Sequence, residues 1–417
     1  NTGNLHSTFY GYGDTPYHLT QVTKFAYGSL SNLTEPTFLG EKLHYPFFIN
    51  FLSGMLLRLT NVLTFSFLLP SYIFVFLNAL LLYLVYKKCI GKARLAILAL
   101  FIFFLGSGFG WYPYIRIALE QKMNPISFVQ YMAHENLSTT VIWESQYPKQ
   151  SVVFGTPMVL SFLHQRAFLP GLFGFLLLLL ILMKIWEERV HIKRYFIIIA
   201  ALVFGILPFF HTHSFVVVTI VLGVFILFSL FYRRFDVFKK YILIACLGGI
   251  IAIPQIWYLV GTKTSFSASS DFISFRLGWM TGTGYGSINF PPGMKSTIFS
   301  PEFLHFTILN FGIILPIFLF ACLLYFFRKK IKFLHDIFSV REIPIIFAVC
   351  GMLIFIAGQL FRFQPWDFDT NKIFEYYQFF AVPCIILILG KIFENKKIIG
   401  SILLILFSFF ATISGII

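Results

Sequence analysis

Charge is scarce in this chain. Only 12% of its 417 residues are Asp, Glu, Lys or Arg, while 58% are hydrophobic, and the mean hydropathy is +0.81. Soluble domains carry about 25% charged residues, so a water-exposed globule is excluded. Cysteine is scarce too. Cys89, Cys246, Cys322, Cys350 and Cys384 all fall in apolar stretches or at their basic edges, so neither a disulfide framework nor a thiolate metal pattern can be built from them. They read as small packing residues. The chain has no GxxxxGK[ST], no HExxH and no GxSxG. Phosphate-loop nucleotide hydrolysis, zincin chemistry and elbow-type serine hydrolysis therefore have no support.

What is present is a series of long apolar runs. A helix needs about 20 apolar residues to cross a bilayer with every backbone polar group satisfied. Ten such spans are expected, near 62–86, 95–112, 168–186, 195–210, 214–232, 241–259, 305–327, 343–361, 374–393 and 398–416. The fold class is an all-α integral membrane protein, a single polytopic domain over 1–417, with little room for strands. The segment HYPFFINFLSGMLLRLT (44–60) is too short to span and mixes His44, Asn50 and Arg58 with apolar residues. It is expected to be a helix lying in the membrane interface.

The net charge of +15 does not mark a nucleic-acid partner. Five short links between spans hold 20 of the 32 Lys and Arg residues, against six acids, while the other side keeps 12 bases and 11 acids. The positive-inside rule makes those links cytoplasmic, with attraction to anionic membrane lipid as a secondary effect. The opposite loops, about 1–61, 113–167, 260–304 and 362–373, are then extracytoplasmic. Residue 1 lies outside, and the chain starts at Asn1 without an initiator Met, so one further span is expected before it. A cleaved signal peptide would give the same start. Asn32-Leu33-Thr34 and Asn136-Leu137-Ser138 are glycosylation sequons in external loops, of consequence only in a host that uses them.

Eight of the ten histidines fall on the external side, and the chemistry-bearing residues gather there. In YGYGDTPYHLT, Asp14 precedes Pro16, and His18 follows four residues on. Asp14 is either an N-cap for a helix over 16–27 or a general base at the bilayer surface. The second loop holds Glu135 beside His134, then His164-Gln165-Arg166 at the mouth of a span. Arg166 opposes the dipole of the helix that follows, so it either snorkels to the interface or pairs with an anion such as phosphate. His211 and His213 alternate in the turn PFFHTHSF, suited to phosphate donation or proton relay. Two histidines alone are too few for a metal. The last external loop carries Arg362, Asp367, Asp369, Lys372 and Glu375, either as an aromatic belt with self-paired charges or as a ligand site. The Gly/Ser-rich loop over 260–304 reads as a cover.

An Asp in the first external loop, an amphipathic segment opening on Tyr45-Pro46, and a first span closing on Lys87-Lys88 together resemble the GT-C superfamily of polytopic glycosyltransferases. The HTHSF turn (211–215) and the WDFDTNKIF stretch (366–374) resemble patterns in family-39-like prokaryotic members. Thr15 stands after Asp14 where many members have a second acid. That acid would have to come from Glu135, Asp367 or Asp369, with His18 a further candidate for the acceptor site. The resemblance implies inverting transfer of a sugar from a polyprenyl-phosphate donor to an acceptor hydroxyl, with Asp14 as base. Arg166, His211, His213, Arg362 and Lys372 would hold the phosphate. A divalent metal is left open, and the acceptor is a lipid, glycan or protein. The acting face is extracytoplasmic, on a prokaryotic plasma membrane or, in a eukaryote, the ER membrane. Two other readings stand beside it: a secondary transporter or flippase, which would place ionisable groups at mid-span, and a non-catalytic subunit of a membrane assembly.

Overall fold

The computed structural model describes residues 14–29, 33–38, 40–134, 156–162, 165–260, 273–275, 301–327, 342–363 and 371–416. Glu135, Asp367, Asp369 and His164 lie outside them, as does most of the Gly/Ser-rich loop. The described chain is overwhelmingly helical. Seven helices, 19 to 28 residues long, are apolar enough to cross a membrane. They are α3 (Leu63–Ile90), α7 (Phe168–Glu188), α9 (Thr212–Phe231), α10 (Phe235–Val260), α13 (Glu342–Leu360), α14 (Asn371–Asn395) and α15 (Lys397–Ile416). At 1.5 Å rise per residue each is long enough for the hydrocarbon core. This is the architecture of an integral membrane protein.

The other three expected spans are shorter helices. α4 (Ala93–Leu105) has 13 residues and α8 (Arg194–Phe210) has 17. Over 305–327 the chain forms α11 (Pro301–Phe311) and α12 (Ile314–Phe327), divided at Gly312, whose φ of +53° favours glycine. Two short helices, α5 (Tyr112–Glu120) and α6 (Pro125–His134), follow α4. The only ladder among the described residues is two residues long, β1 (Ser274–Phe275) antiparallel to β2 (Phe361–Arg362).

The chain packs as two compact units, one of residues 1–85 and 160–270, the other of 86–159 and 271–417. In the first, α1 (Asp14–Tyr27) lies against α2 (Phe48–Thr60), the helix expected over 44–60. Their contact is close because Gly54 has no side chain: a Cβ there would stand 2.5 Å from the Phe25 Cβ. Arg58 turns back to donate from Nε to the Ala26 carbonyl at 2.8 Å and from Nη2 to the Gly28 carbonyl at 3.1 Å. A cation thereby caps the C-terminal end of α1. Asn61 ends α2 in the left-handed conformation that Asn tolerates. The connection from α1 to α2 is anchored on α10, where Tyr258 donates its hydroxyl to Leu33 and its carbonyl meets His44 Nδ1 at 2.8 Å. Phe47 and Phe48 meet Phe209 and Phe210 at the end of α8.

The second unit is built around α14, 18 of whose 25 residues are buried. Where α4 stops, its orphan carbonyls are met by a side chain: Gln378 Nε2 donates to Phe103 O at 3.0 Å and Gly106 O at 2.9 Å. The non-helical stretch that follows is satisfied the same way. Ser107 N reaches Ala411 O, Phe109 N reaches Leu309 O, and the Ser414 hydroxyl donates to Gly108 O. Irregular backbone is tolerated in a membrane protein when protein groups replace the missing ladder, and each of these groups does so.

Candidate active site

Asp14 is the first residue of α1, two positions ahead of the expected helix start, and it is exposed. The carboxylate stands at the positive end of the α1 dipole, a favourable place for a negative charge. Gln165 Nε2 donates to Asp14 Oδ2 at 3.4 Å. Gln165 is itself held by its backbone N–H, which donates to Ser161 O. The chain entering α7 thus returns to the start of α1 across 151 positions.

Next to Gln165, Arg166 turns inward. It is 7% exposed, so it does not snorkel. Its Nε donates to Ser71 Oγ at 3.3 Å, Nη1 to Asn50 Oδ1 at 3.2 Å, and Nη2 to Ser53 Oγ and Phe67 O, both at 2.7 Å. The guanidinium carbon sits 3.7 Å from the centre of the Phe67 ring. Four of the five N–H groups of the fork are engaged, every acceptor is neutral, and the face is covered by an aromatic ring. Burial pulls the Arg166 guanidinium down to about 9, so it is still a cation at neutral pH. The site therefore contains a buried positive charge dispersed over dipoles.

Asn50 passes this arrangement on. Its amide nitrogen donates to Gln21 Oε1 at 2.6 Å and meets His18 Nδ1 at 2.8 Å. His18 is 2% exposed and lies one helical turn from Asp14, with Tyr45 edge-on at 5.8 Å between ring centres. Tyr17, beside it, donates to Glu35 Oε2 at 2.9 Å. Burial, and secondly the Glu35 charge, hold that phenol well above its usual range, so it stays neutral.

The turn between α8 and α9 is a single residue, His211, with extended backbone. Its Nδ1 accepts from the Ser214 backbone N–H at 3.3 Å and contacts Ser214 Oγ at 2.8 Å. His211 is thus the N-cap of α9, and in its neutral form it carries the proton on Nε2. His213 lies in the first turn of α9, its ring 5.2 Å from that of His211, and both are buried. The pair packs on the start of α7. Phe168 meets His211 edge-on at 5.5 Å, and a Cβ on Gly171 would stand 2.3 Å from the His211 Cβ.

Of the residues expected at the site, Asp14, His18, Arg166, His211 and His213 all belong to the first unit, grouped around the N-terminal ends of α1, α7 and α9. Arg362 and Lys372 belong to the second. Arg362 pairs through its backbone with Ser274, and Lys372 is the second residue of α14. Gln21, Ser53 and Ser71 were not singled out from sequence. Their one signal is small polar residues at helical spacing inside apolar helices: His18–Gln21 and Asn50–Ser53 are each three apart. Among the described residues no group of three or more His, Cys, Asp or Glu could hold a metal. Comparison with family models, with curated proteins and with solved structures finds no match.

Proposed function

We propose that this protein is a membrane-embedded glycosyltransferase of the GT-C kind, which moves a sugar from a polyprenyl-phosphate donor to an acceptor hydroxyl with inversion. The observation that carries the reading is the meeting of Gln165 with Asp14: it brings a solvent-accessible carboxylate and, one residue away, a buried cation to the same helix ends. Transfer of this kind needs those two elements. Asp14 takes the proton of the acceptor hydroxyl. The alkoxide oxygen bonds to the anomeric carbon as the bond from that carbon to the phosphate oxygen breaks, and the lipid phosphate leaves with the electron pair.

With four donors committed to protein acceptors, Arg166 contributes chiefly through its charge, felt strongly in low-dielectric surroundings. His211, whose Nδ1 accepts from the Ser214 N–H and leaves the proton to Nε2, and His213 supply donors to the leaving phosphate. Glu135, Asp367 and Asp369 are the candidates for a second acid. The full set of ten spans, an extracytoplasmic active face and a prokaryotic plasma membrane or ER location belong to the same proposal, resting on the distribution of basic links. The test is transfer of label from a panel of radiolabelled polyprenyl-phosphate sugars by the purified protein in nanodiscs. Sugar-independent movement of lipid phosphate across a proteoliposome, with no transfer, would favour the transporter.

A further inference from the structure

We infer that Arg166 and Asn50 form a relay that locks His18 as a neutral imidazole with its proton on Nε2, making it a fixed hydrogen-bond donor one turn along α1 from Asp14. The inference follows from donor and acceptor roles. A guanidinium only donates, so the atom of Asn50 facing Arg166 Nη1 at 3.2 Å is the amide oxygen. The amide nitrogen must then face α1, where its two hydrogens go to Gln21 Oε1 at 2.6 Å and His18 Nδ1 at 2.8 Å. A nitrogen that accepts cannot carry a proton, so Nδ1 holds the lone pair and Nε2 the hydrogen.

The surroundings act in the same direction. Burial at 2% exposure disfavours an imidazolium. The Arg166 cation, one amide away, opposes a second positive charge, and protonating Nδ1 would point an N–H at the N–H of Asn50. Beside His18, the Tyr17 phenol stays neutral and donates to Glu35, and the Tyr45 ring packs edge-on. Asp14 on the same face of α1 is exposed, so solvent screens the attraction that would favour the cation.

His18 is therefore a positioning residue and not a second base. In the transfer reaction, a role that rests on the proposal above, it takes no proton itself and holds the turn of α1 that carries Asp14. Competition between His18 and Asp14 for the acceptor proton is removed, because the lone pair of His18 is already occupied.

The test is nitrogen NMR of the full protein in nanodiscs with 15N-labelled histidine, the His18 resonances assigned by His18→Gln. The expected spectrum shows an unprotonated Nδ1 and a protonated Nε2, unchanged from about pH 5.5 to about pH 8, although a free histidine titrates near 6.5. A protonated Nδ1, or a ring that titrates across that range, overturns the inference. This measurement needs no variant of the relay to fold. In Asn50→Asp the carboxylate accepts from Arg166 and has no hydrogen for His18, so Nδ1 is expected to gain a proton and the ring to titrate. An Asn50→Asp protein that folds and keeps the wild-type His18 spectrum also overturns it. If the wild type transfers sugar, Asn50→Asp should add a histidine ionisation to the pH profile of kcat. If it transfers none, the transferase proposal fails while the tautomer result stands on the spectrum alone.

Discussion

Adding one methyl group at Gly171 should loosen the His211 turn, and the size of the effect can be worked from the structure. An alanine Cβ at 171 would lie 2.3 Å from the His211 Cβ, 2.5 Å from Ser214 Oγ and 3.0 Å from the His211 Cγ. Carbon atoms in contact rest at about 3.5–4.0 Å, so the turn must retreat by more than 1 Å. The obstructing Cβ belongs to a one-residue turn fixed by α8 on one side and α9 on the other, and it cannot swing aside as a side-chain tip would. Overpacking of this kind costs about 1–3 kcal/mol. Alanine also gains about 1 kcal/mol over glycine in a helix, so a reference is needed. Gly223, within α9, supplies it, because a Cβ there meets nothing within 4 Å. Gly223→Ala should match or exceed wild-type stability, and Gly171→Ala should fall below it. With roughly 2–4 °C per kcal/mol for a unit of this size, the two variants should differ by several degrees in a thermal melt in one detergent. If they melt together, the helix ends are looser than the packing requires and the reasoning fails.

Three further outcomes follow. Gln378→Leu removes the donor that satisfies the Phe103 and Gly106 carbonyls; each buried acceptor left without a partner costs about 1–3 kcal/mol, measurable as a lower melting temperature, whereas Gln378→Glu should not restore stability because it cannot donate when ionised. Arg166→Lys keeps the charge but offers three rotatable donors to four acceptors, and should lower stability by about 1–3 kcal/mol. The pH behaviour of Arg166 has a definite sign. Its guanidinium is charged in both folded and unfolded chains below about 9, so it contributes no pH dependence between about 6 and 8. Above about 9 the folded state gives up the proton first and then holds fewer protons than the unfolded chain, so this group's penalty on folding is relieved as pH rises. Any phosphate affinity that relies on its charge should be flat near neutrality and fall through pH 9, as a titration with a soluble polyprenyl-phosphate analogue would show.

Much of this architecture is legible in the sequence because bilayer length and apolar continuity leave few alternatives. Seven of the expected spans correspond to long helices, and the helix expected over 44–60 forms from 48 to 60. The start of α1 is visible from Asp14 and Pro16, although the helix begins at Asp14 itself. The run over 305–327 reads as one span because its composition is uniformly apolar; the break depends on a single glycine at positive φ. Arg166 shows where sequence reasoning stops. Its position before a long helix leaves snorkelling and anion binding equally open, since the acceptors that draw it inward lie 95 to 116 positions away. Asn50 and Ser53 look incidental in an apolar helix until the tertiary contact with Arg166 assigns the orientation of the amide. His211 was recognisable as a turn residue, but its capping of α9 follows only from the Ser214 contact.

The most direct measurement of the central claim is sugar transfer by Asp14→Asn against wild type, from the same labelled polyprenyl-phosphate sugar and with matched melting temperatures. Asn keeps the shape and the contact with Gln165 but cannot take a proton, so kcat should fall by about 10²–10⁴-fold. An Asp14→Asn protein that folds and transfers sugar at the wild-type rate would contradict the claim that this carboxylate is the base.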